Sequence, residues 1–269
     1  MINKSLNEKW KMINPKKSLG QNFLRDEEVL EKIIKSANLQ TDDFVIEVGP
    51  GEGILTEKLS TKVSKVSSIE IDQNLISNLE KKFKDNEKVE IINDDILKIN
   101  LENLTSNKNY KVVANIPYYI TSKIIRLFLE SKNPPSEIIL MVQKEVAQRI
   151  VASPGKMSLL AVSVQYYANA ELLFEVSRDS FFPVPEVDSA IIKIDTLKKN
   201  GDDSKKFFQV VKAGFSAKRK TLINNISNGL QLEKNLVAEK LKSIDLSQTV
   251  RAQELSIDDW KRLCASLNL

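Results

Sequence analysis

Between Phe44 and Asp195 short β-branched runs alternate with amphipathic stretches, and no other feature restricts the fold so tightly. Candidate strands fall at Phe44–Val48, Val66–Ile71, Val89–Ile92, Val112–Ala114, Ile138–Val142, Leu172–Val176 and Ala190–Ile194. Leu75, Ile76, Leu79 and Phe83, between the second and third runs, share one helical face. Strand–helix alternation predicts an α/β fold with a seven-stranded, mostly parallel sheet covered on both faces. After Tyr167 the alternation lapses, and the last two strands, separated only by a loop, are expected to pair antiparallel. Lys198 to Ser204 is polar and turn-rich. It is read as the linker between a domain spanning residues 1–197, with a basic segment at 1–25, and a small all-helical domain at 205–269. In the latter Leu222, Ile223, Ile226 and Leu230 form one face, and Leu236, Leu241 and Ile244 belong to the next segment.

Composition narrows the chemistry. The 269 residues include no histidine, which removes Ser-His-Asp and Cys-His catalysis and the common His-containing zinc sites. The one cysteine, Cys264, cannot form an internal disulfide or a cysteine-rich metal site, so it is read as a structural thiol and no metal is expected. A formal net charge of +4 leans towards an anionic partner. Met1 to Asn14 lacks the apolar core of a signal peptide, and the longest apolar stretch, Ile138–Val142, is too short to span a membrane. A cytoplasmic location is expected.

Glu47-Val48-Gly49-Pro50-Gly51-Glu52-Gly53 follows the first strand and opens into a helical pattern at Ile54. Glycines at alternate positions let the backbone pass close to a ligand without a Cβ in the way. Twenty-odd residues on, Ile69-Glu70-Ile71-Asp72 puts an acid at the tip of the second strand, where a carboxylate can accept both hydroxyls of a ribose. The pattern would also suit a dinucleotide. Against that stand the Gly-x-Gly-x-Gly spacing, the acid Glu47 before the first glycine, and a further acidic pair, Asp94-Asp95, after the third strand. S-adenosylmethionine has the ribose and adenine but no pyrophosphate to cradle. Asp95, rather than Asp94, is taken as the contact to the adenine amino group.

Asn115-Ile116-Pro117-Tyr118 ends the fourth strand. The amine of adenine is a poor nucleophile because its lone pair is delocalised into the ring. Accepting its hydrogens on the Asn115 side chain and on a carbonyl at Ile116 or Pro117 returns electron density to nitrogen, with Pro117 stiffening the backbone. Methyl transfer then needs alignment more than a strong base, which suits a chain without histidine. Tyr118 can stack on the base, worth about 1–3 kcal/mol. Phe181-Phe182-Pro183-Val184-Pro185-Glu186-Val187-Asp188, between the last two strands, is read as a stiff loop carrying exposed aromatics able to close the pocket from the other side.

From Ser204 to Leu232 there is no acidic residue, while Lys205, Lys206, Lys212, Lys218, Arg219 and Lys220 are interleaved with Phe207, Phe208 and Phe215. This predicts a face for a polyanion, with Lys16-Lys17 adding to it.

Taken in order, Lys17-Ser-Leu-Gly-Gln-Asn-Phe-Leu24, Glu47-Val-Gly-Pro-Gly51, Asn115-Ile-Pro-Tyr118, Gln143-Lys-Glu-Val146, the Phe181 to Ser189 loop and Ala213-Gly-Phe-Ser216…Arg219-Lys-Thr-Leu222 resemble the KsgA-type small-subunit ribosomal RNA adenine dimethyltransferases over nearly the whole chain. The resemblance implies a class I, Rossmann-like methyltransferase core using S-adenosylmethionine and a helical C-terminal domain. It implies dimethylation of two adjacent loop adenosines near the 3′ end of small-subunit (16S) rRNA during 30S assembly. A monomer is expected. By position, Asn22, Leu24, Gly49, Glu70, Asp95 and Asn115 would line the cofactor site, and Asn115, Tyr118 and Phe181 would hold the base. Glu186 departs from the family, which usually has lysine there, and puts that RNA contact in doubt. Erm-type large-subunit enzymes share the core motifs, but the Phe215 to Leu222 stretch resembles the small-subunit family. Related mitochondrial transcription factors bind nucleic acid without methyl transfer, a reading that the intact glycine loop and Asn115 oppose. An NAD oxidoreductase lacks a proton relay here.

Overall fold

In the computed structural model, residues 15, 16, 19–197 and 204–267 are described. The linker expected at Lys198 to Ser204 therefore lies outside the described residues, apart from Ser204.

The central sheet runs in the order β4-β3-β2-β5-β6-β9-β7. Its strands are β2 (Phe44–Val48), β3 (Lys65–Glu70), β4 (Val89–Asn93), β5 (Lys111–Asn115), β6 (Glu137–Gln143), β7 (Ala168–Val176) and β9 (Ser189–Thr196). The first five are parallel, and β9 slots antiparallel between β6 and β7. The expected α/β sheet is thus present, with the antiparallel β7–β9 pair. Strand β7 starts four residues before Leu172, at Ala168, because its early residues pair with Asp195 and Thr196 at the end of β9. Two short strands escape the periodicity: β1 (Phe23–Leu24) and β8 (Phe181–Phe182) pair antiparallel, and two residues cannot display a period.

Helices cover both faces, as β2, β5 and β6, buried over nearly their whole length, require. On one side α1 (Glu27–Ser36) and α2 (Ile54–Ser60) pack Leu30, Ile33 and Leu59 against Val45, Val113 and Ile139. On the other, α5 (Thr121–Glu130) buries Ile124, Ile125 and Phe128 against Val112 and Ile138. The helix α3 (Gln73–Phe83) buries Leu75, Ile76, Leu79 and Phe83, the face expected from their spacing. Helix α4 (Leu101–Thr105) follows β4, and α6 (Lys144–Ile150) and α7 (Leu159–Gln165) lie between β6 and β7.

The C-terminal helices α8 (Ser204–Gly214), α9 (Leu222–Leu230), α10 (Lys234–Ser243) and α11 (Ile257–Leu267) form a third core around Trp260, Val210, Ile226 and Leu241. Met157, Ala161 and Val162, from α7 and the loop before it, complete that core. Two expectations change here. Leu236 is 39% exposed, and its neighbour Val237 takes the buried position on α10. Phe207, Phe208 and Phe215 are not free for nucleic acid: Phe207 is buried and the other two pack on the same core, with Phe207 stacked on Tyr166 at 4.1 Å. The amphipathic period of α8 puts its aromatics inside and its lysines outside.

Candidate active site

The carboxyl ends of β2 to β5 and the segment 19–24 enclose a cavity of about 290 Å³. Gly49 and Gly51 wall one side; with Gly53, which ends the turn, they have φ of +70°, +59° and +71°, a left-handed backbone that side chains resist. The turn is also packed from behind. A Cβ on Gly53 would sit 2.8 Å from the Phe83 ring, and one on Gly51 3.0 Å from Phe23.

Glu70, 5% exposed, ends β3 at this cavity. Its carboxylate accepts from the backbone N–H of Asp72 at 2.8 Å and of Gly51 at 3.3 Å, which fixes the glycine turn to the acid. Burial raises its pKa despite those bonds. The nearby Asp72 is occupied elsewhere: it caps α3 through Asn74 N and accepts from Lys16 Nζ and Gln21 Nε2. Burial pushes the Asp72 carboxyl up, but the Lys16 and Gln21 bonds outweigh it and hold it below its ordinary value. Lys16 is therefore a tether for the N-terminal segment, not part of an open polyanion face as expected; Lys17 lies outside the described residues. Glu47 is 1% exposed and pushed by burial up to about 7, against hydrogen bonds from Thr56 Oγ1 at 2.6 Å and Ser68 Oγ at 2.7 Å.

Asp94 and Asp95 both line the cavity, Asp94 exposed and Asp95 half-buried. One Asp95 oxygen accepts from Leu97 N at 3.0 Å, and one Asp94 oxygen accepts from Asp95 N at 2.7 Å. On the same rim Asn115 ends β5. Its Nδ2 donates to the Asn22 carbonyl at 3.3 Å, so Oδ1 is the end left as an acceptor. Pro117 sets φ at −58° and leads into a tight turn, Tyr118–Ile120, that carries Tyr118 to the cavity wall. The Tyr118 hydroxyl and Ser189 Oγ share a hydrogen bond of 2.7 Å. Asn22, Leu24 and Gly49 complete the set of predicted residues around this one cavity.

Phe181 is a correction. It was expected as an exposed aromatic over the pocket, but it is 3% exposed, packs with Leu24 and Val176, and does not line the cavity. Pairing of β8 with β1 sets the alternation: Phe181 turns into the core and Phe182, 52% exposed, turns out beneath the Arg25 guanidinium, 5.8 Å from its ring centroid. The basic residues also stand apart from the cavity. Lys205, Lys206 and Lys212 are exposed on α8, and Lys218, Arg219 and Lys220 are exposed in the turn before α9.

Several contributors carry no composition signal. Arg25 pairs with Glu52 at 2.8 Å, tying the N-terminal segment to the glycine turn; burial lowers the Arg25 pKa and raises that of Glu52, outweighing the pairing in both. Lys123, one helical turn beyond Tyr119, is the one cation among the described residues that line the cavity. It escaped the sequence reading; its spacing from the Asn115–Tyr118 motif is the one signal that could have found it.

The cavity's charge tests which ligand it suits. Glu47, Glu52, Glu70, Asp94 and Asp95 line it; Arg25 pairs with Glu52 from outside, and among the described lining residues Lys123 is the one cation. That field repels a pyrophosphate and favours a cationic ligand. Ile71, 52% exposed at the end of β3, gives it an apolar patch beside Glu70. Parallel sheet with one inserted antiparallel strand, glycine turn and acid at the tip of β3 together define a class I S-adenosylmethionine-dependent methyltransferase. Within that class the sequence matches the ribosomal RNA adenine dimethylase family over residues 12–269, and the chain belongs to that family. It is 44% identical over 256 residues to the ribosomal RNA small subunit methyltransferase A of Dehalococcoides mccartyi, covering 94% of this chain and 88% of the relative. The protein of the same name from Fusobacterium nucleatum is 43% identical over 254 residues, covering 92% and 96%. Among solved structures, a dimethyladenosine transferase from Plasmodium falciparum superposes with a TM-score of 0.80 at 27% identity, covering 91% of this chain and 97% of that one. The 23S rRNA methyltransferase ErmE gives 0.75 at 27%, covering 92% and 100%.

Proposed function

We propose that this chain, acting as a monomer, dimethylates N6 of two adjacent adenosines in a loop near the 3′ end of small-subunit rRNA during subunit assembly. The observation that carries the reading is one rim bearing both Glu70 and Asn115: an acid suited to a ribose and an amide suited to an exocyclic amine face one acidic cavity. S-adenosylmethionine, when bound, supplies an electrophilic methyl on a cationic sulfur. Gly49, Glu70 and Asp95 would hold its nucleoside end, with Asn22 and Leu24 closing over it. Asn115 Oδ1 would accept from the adenine amine while Asn22 keeps the amide oriented. Tyr118 would stack on the base, offsetting part of the few kcal/mol that extruding a loop base costs, about 1–3 kcal/mol. Phe181 has no part in this arrangement unless β8 shifts.

Identity supports the small subunit. The relatives named for that subunit are 44% and 43% identical, whereas the 23S enzyme is 27% identical. The cytoplasmic location follows from that substrate. Residues 205–269, with Lys205, Lys206, Lys212, Lys218, Arg219 and Lys220, would supply the polyanion contacts. Neutralising Lys218, Arg219 and Lys220 together should weaken binding to unmethylated small subunits and flatten the dependence of log Kd on log salt by about 2–3. A filter-binding series across salt concentrations measures this. An unchanged slope would remove these residues from the RNA contact.

A further inference from the structure

Tyr118 is held at both ends. Its backbone is fixed by Pro117 and the tight turn, and its hydroxyl meets Ser189 Oγ at 2.7 Å. Ser189 is fully buried and opens β9, opposite Gln143 at the end of β6 and Val176 at the end of β7. Asn115 on β5 is paired with Met141 on β6, and Met141 with Ile191 on β9. The hydroxyl contact therefore joins the end of β5 to a strand two places away, roughly 9–10 Å across the sheet. To make it, the Tyr118 side chain has to cross the carboxyl end of β6. A ring tied at backbone and hydroxyl keeps its position and the direction of its long axis, because the hydroxyl oxygen lies on that axis.

Stacking alone does not need the hydroxyl, and phenylalanine would stack as well. Burying two hydroxyls that satisfy each other adds little net stability, so the gain from the pair is geometric. Burial raises the Tyr118 pKa and the Ser189 bond works against that rise, so the group stays a neutral phenol. Building on the adenine-stacking reading above, we propose that Ser189 is a positioning residue. Through the Tyr118 hydroxyl it fixes the position and axis of the ring on which the target base stacks, preorganising the amine against Asn115.

The test is a double-mutant cycle of Tyr118→Phe, Ser189→Ala and both, with Tyr118→Ala as reference. Three quantities are read: turnover on unmethylated small subunits, affinity for S-adenosylhomocysteine, and fluorescence quenching of 2-aminopurine placed at the target position of a substrate RNA. Each single variant should lose about tenfold in turnover and much of the quenching, with S-adenosylhomocysteine affinity unchanged. The double variant should be no worse than either single. Losses that multiply in the double variant would overturn the proposal. So would full turnover and quenching in Ser189→Ala while Tyr118→Ala is inactive, and that outcome would leave the stacking reading intact. A fully active Tyr118→Ala would sink the stacking reading itself. If Ser189→Ala folds poorly, Tyr118→Phe, which keeps the ring volume, decides the matter alone.

Discussion

Asn115→Ala is expected to lower turnover by about 100-fold or more while affinity for S-adenosylhomocysteine stays within several-fold. The side chain is the acceptor at the end of β5 with its amino group committed to the Asn22 carbonyl. Removing it takes away the oxygen that draws density back to the adenine amine. The cavity wall built by Gly49 and Glu70 stays in place. Single-turnover methylation of saturating subunits separates this loss from RNA binding. Near-normal turnover would mean that the amine is activated elsewhere.

Glu70→Gln is expected to act on the other half of the site, weakening S-adenosylhomocysteine binding by about 10- to 100-fold. Exchanging a carboxylate for an amide removes a charge-assisted hydrogen bond, worth about 1.5–3 kcal/mol. It also sets an N–H₂ against one of the Asp72 and Gly51 amides, which now donate to different oxygens of the acid. That lost bond lowers stability as well, so calorimetric titration belongs beside a melting curve. Unchanged affinity in a folded variant would assign the ribose to another group.

The difference between what was legible in the sequence and what was not follows from range. Strand positions and helix faces came through because burial repeats with a period, as at Leu75, Ile76, Leu79 and Phe83. Glycine turn, Glu70 and Asn115 were legible because each sits at the end of a strand, where parallel topology gathers side chains on one rim. What escaped was set by partners far away in the chain. The fates of Phe181 and Phe182 depend on pairing with Phe23 and Leu24, more than 150 residues earlier. Phe207 read as an interleaved aromatic until Tyr166 and Trp260 were seen to share its core. Lys16 read as a surface charge until Asp72, 56 positions on, claimed it. Ser189 gave no signal, because its meaning lies in a hydroxyl 71 positions away.

Radiolabelled S-adenosylmethionine offered with the protein to unmethylated small and large ribosomal subunits, followed by mapping of reverse-transcriptase stops, addresses the substrate directly. Dimethylated adenine cannot pair and halts the polymerase. Label confined to the small subunit, with stops at two adjacent adenosines near the 3′ end of its rRNA, is the expected result. Label only on the large subunit, or none on either, would contradict it.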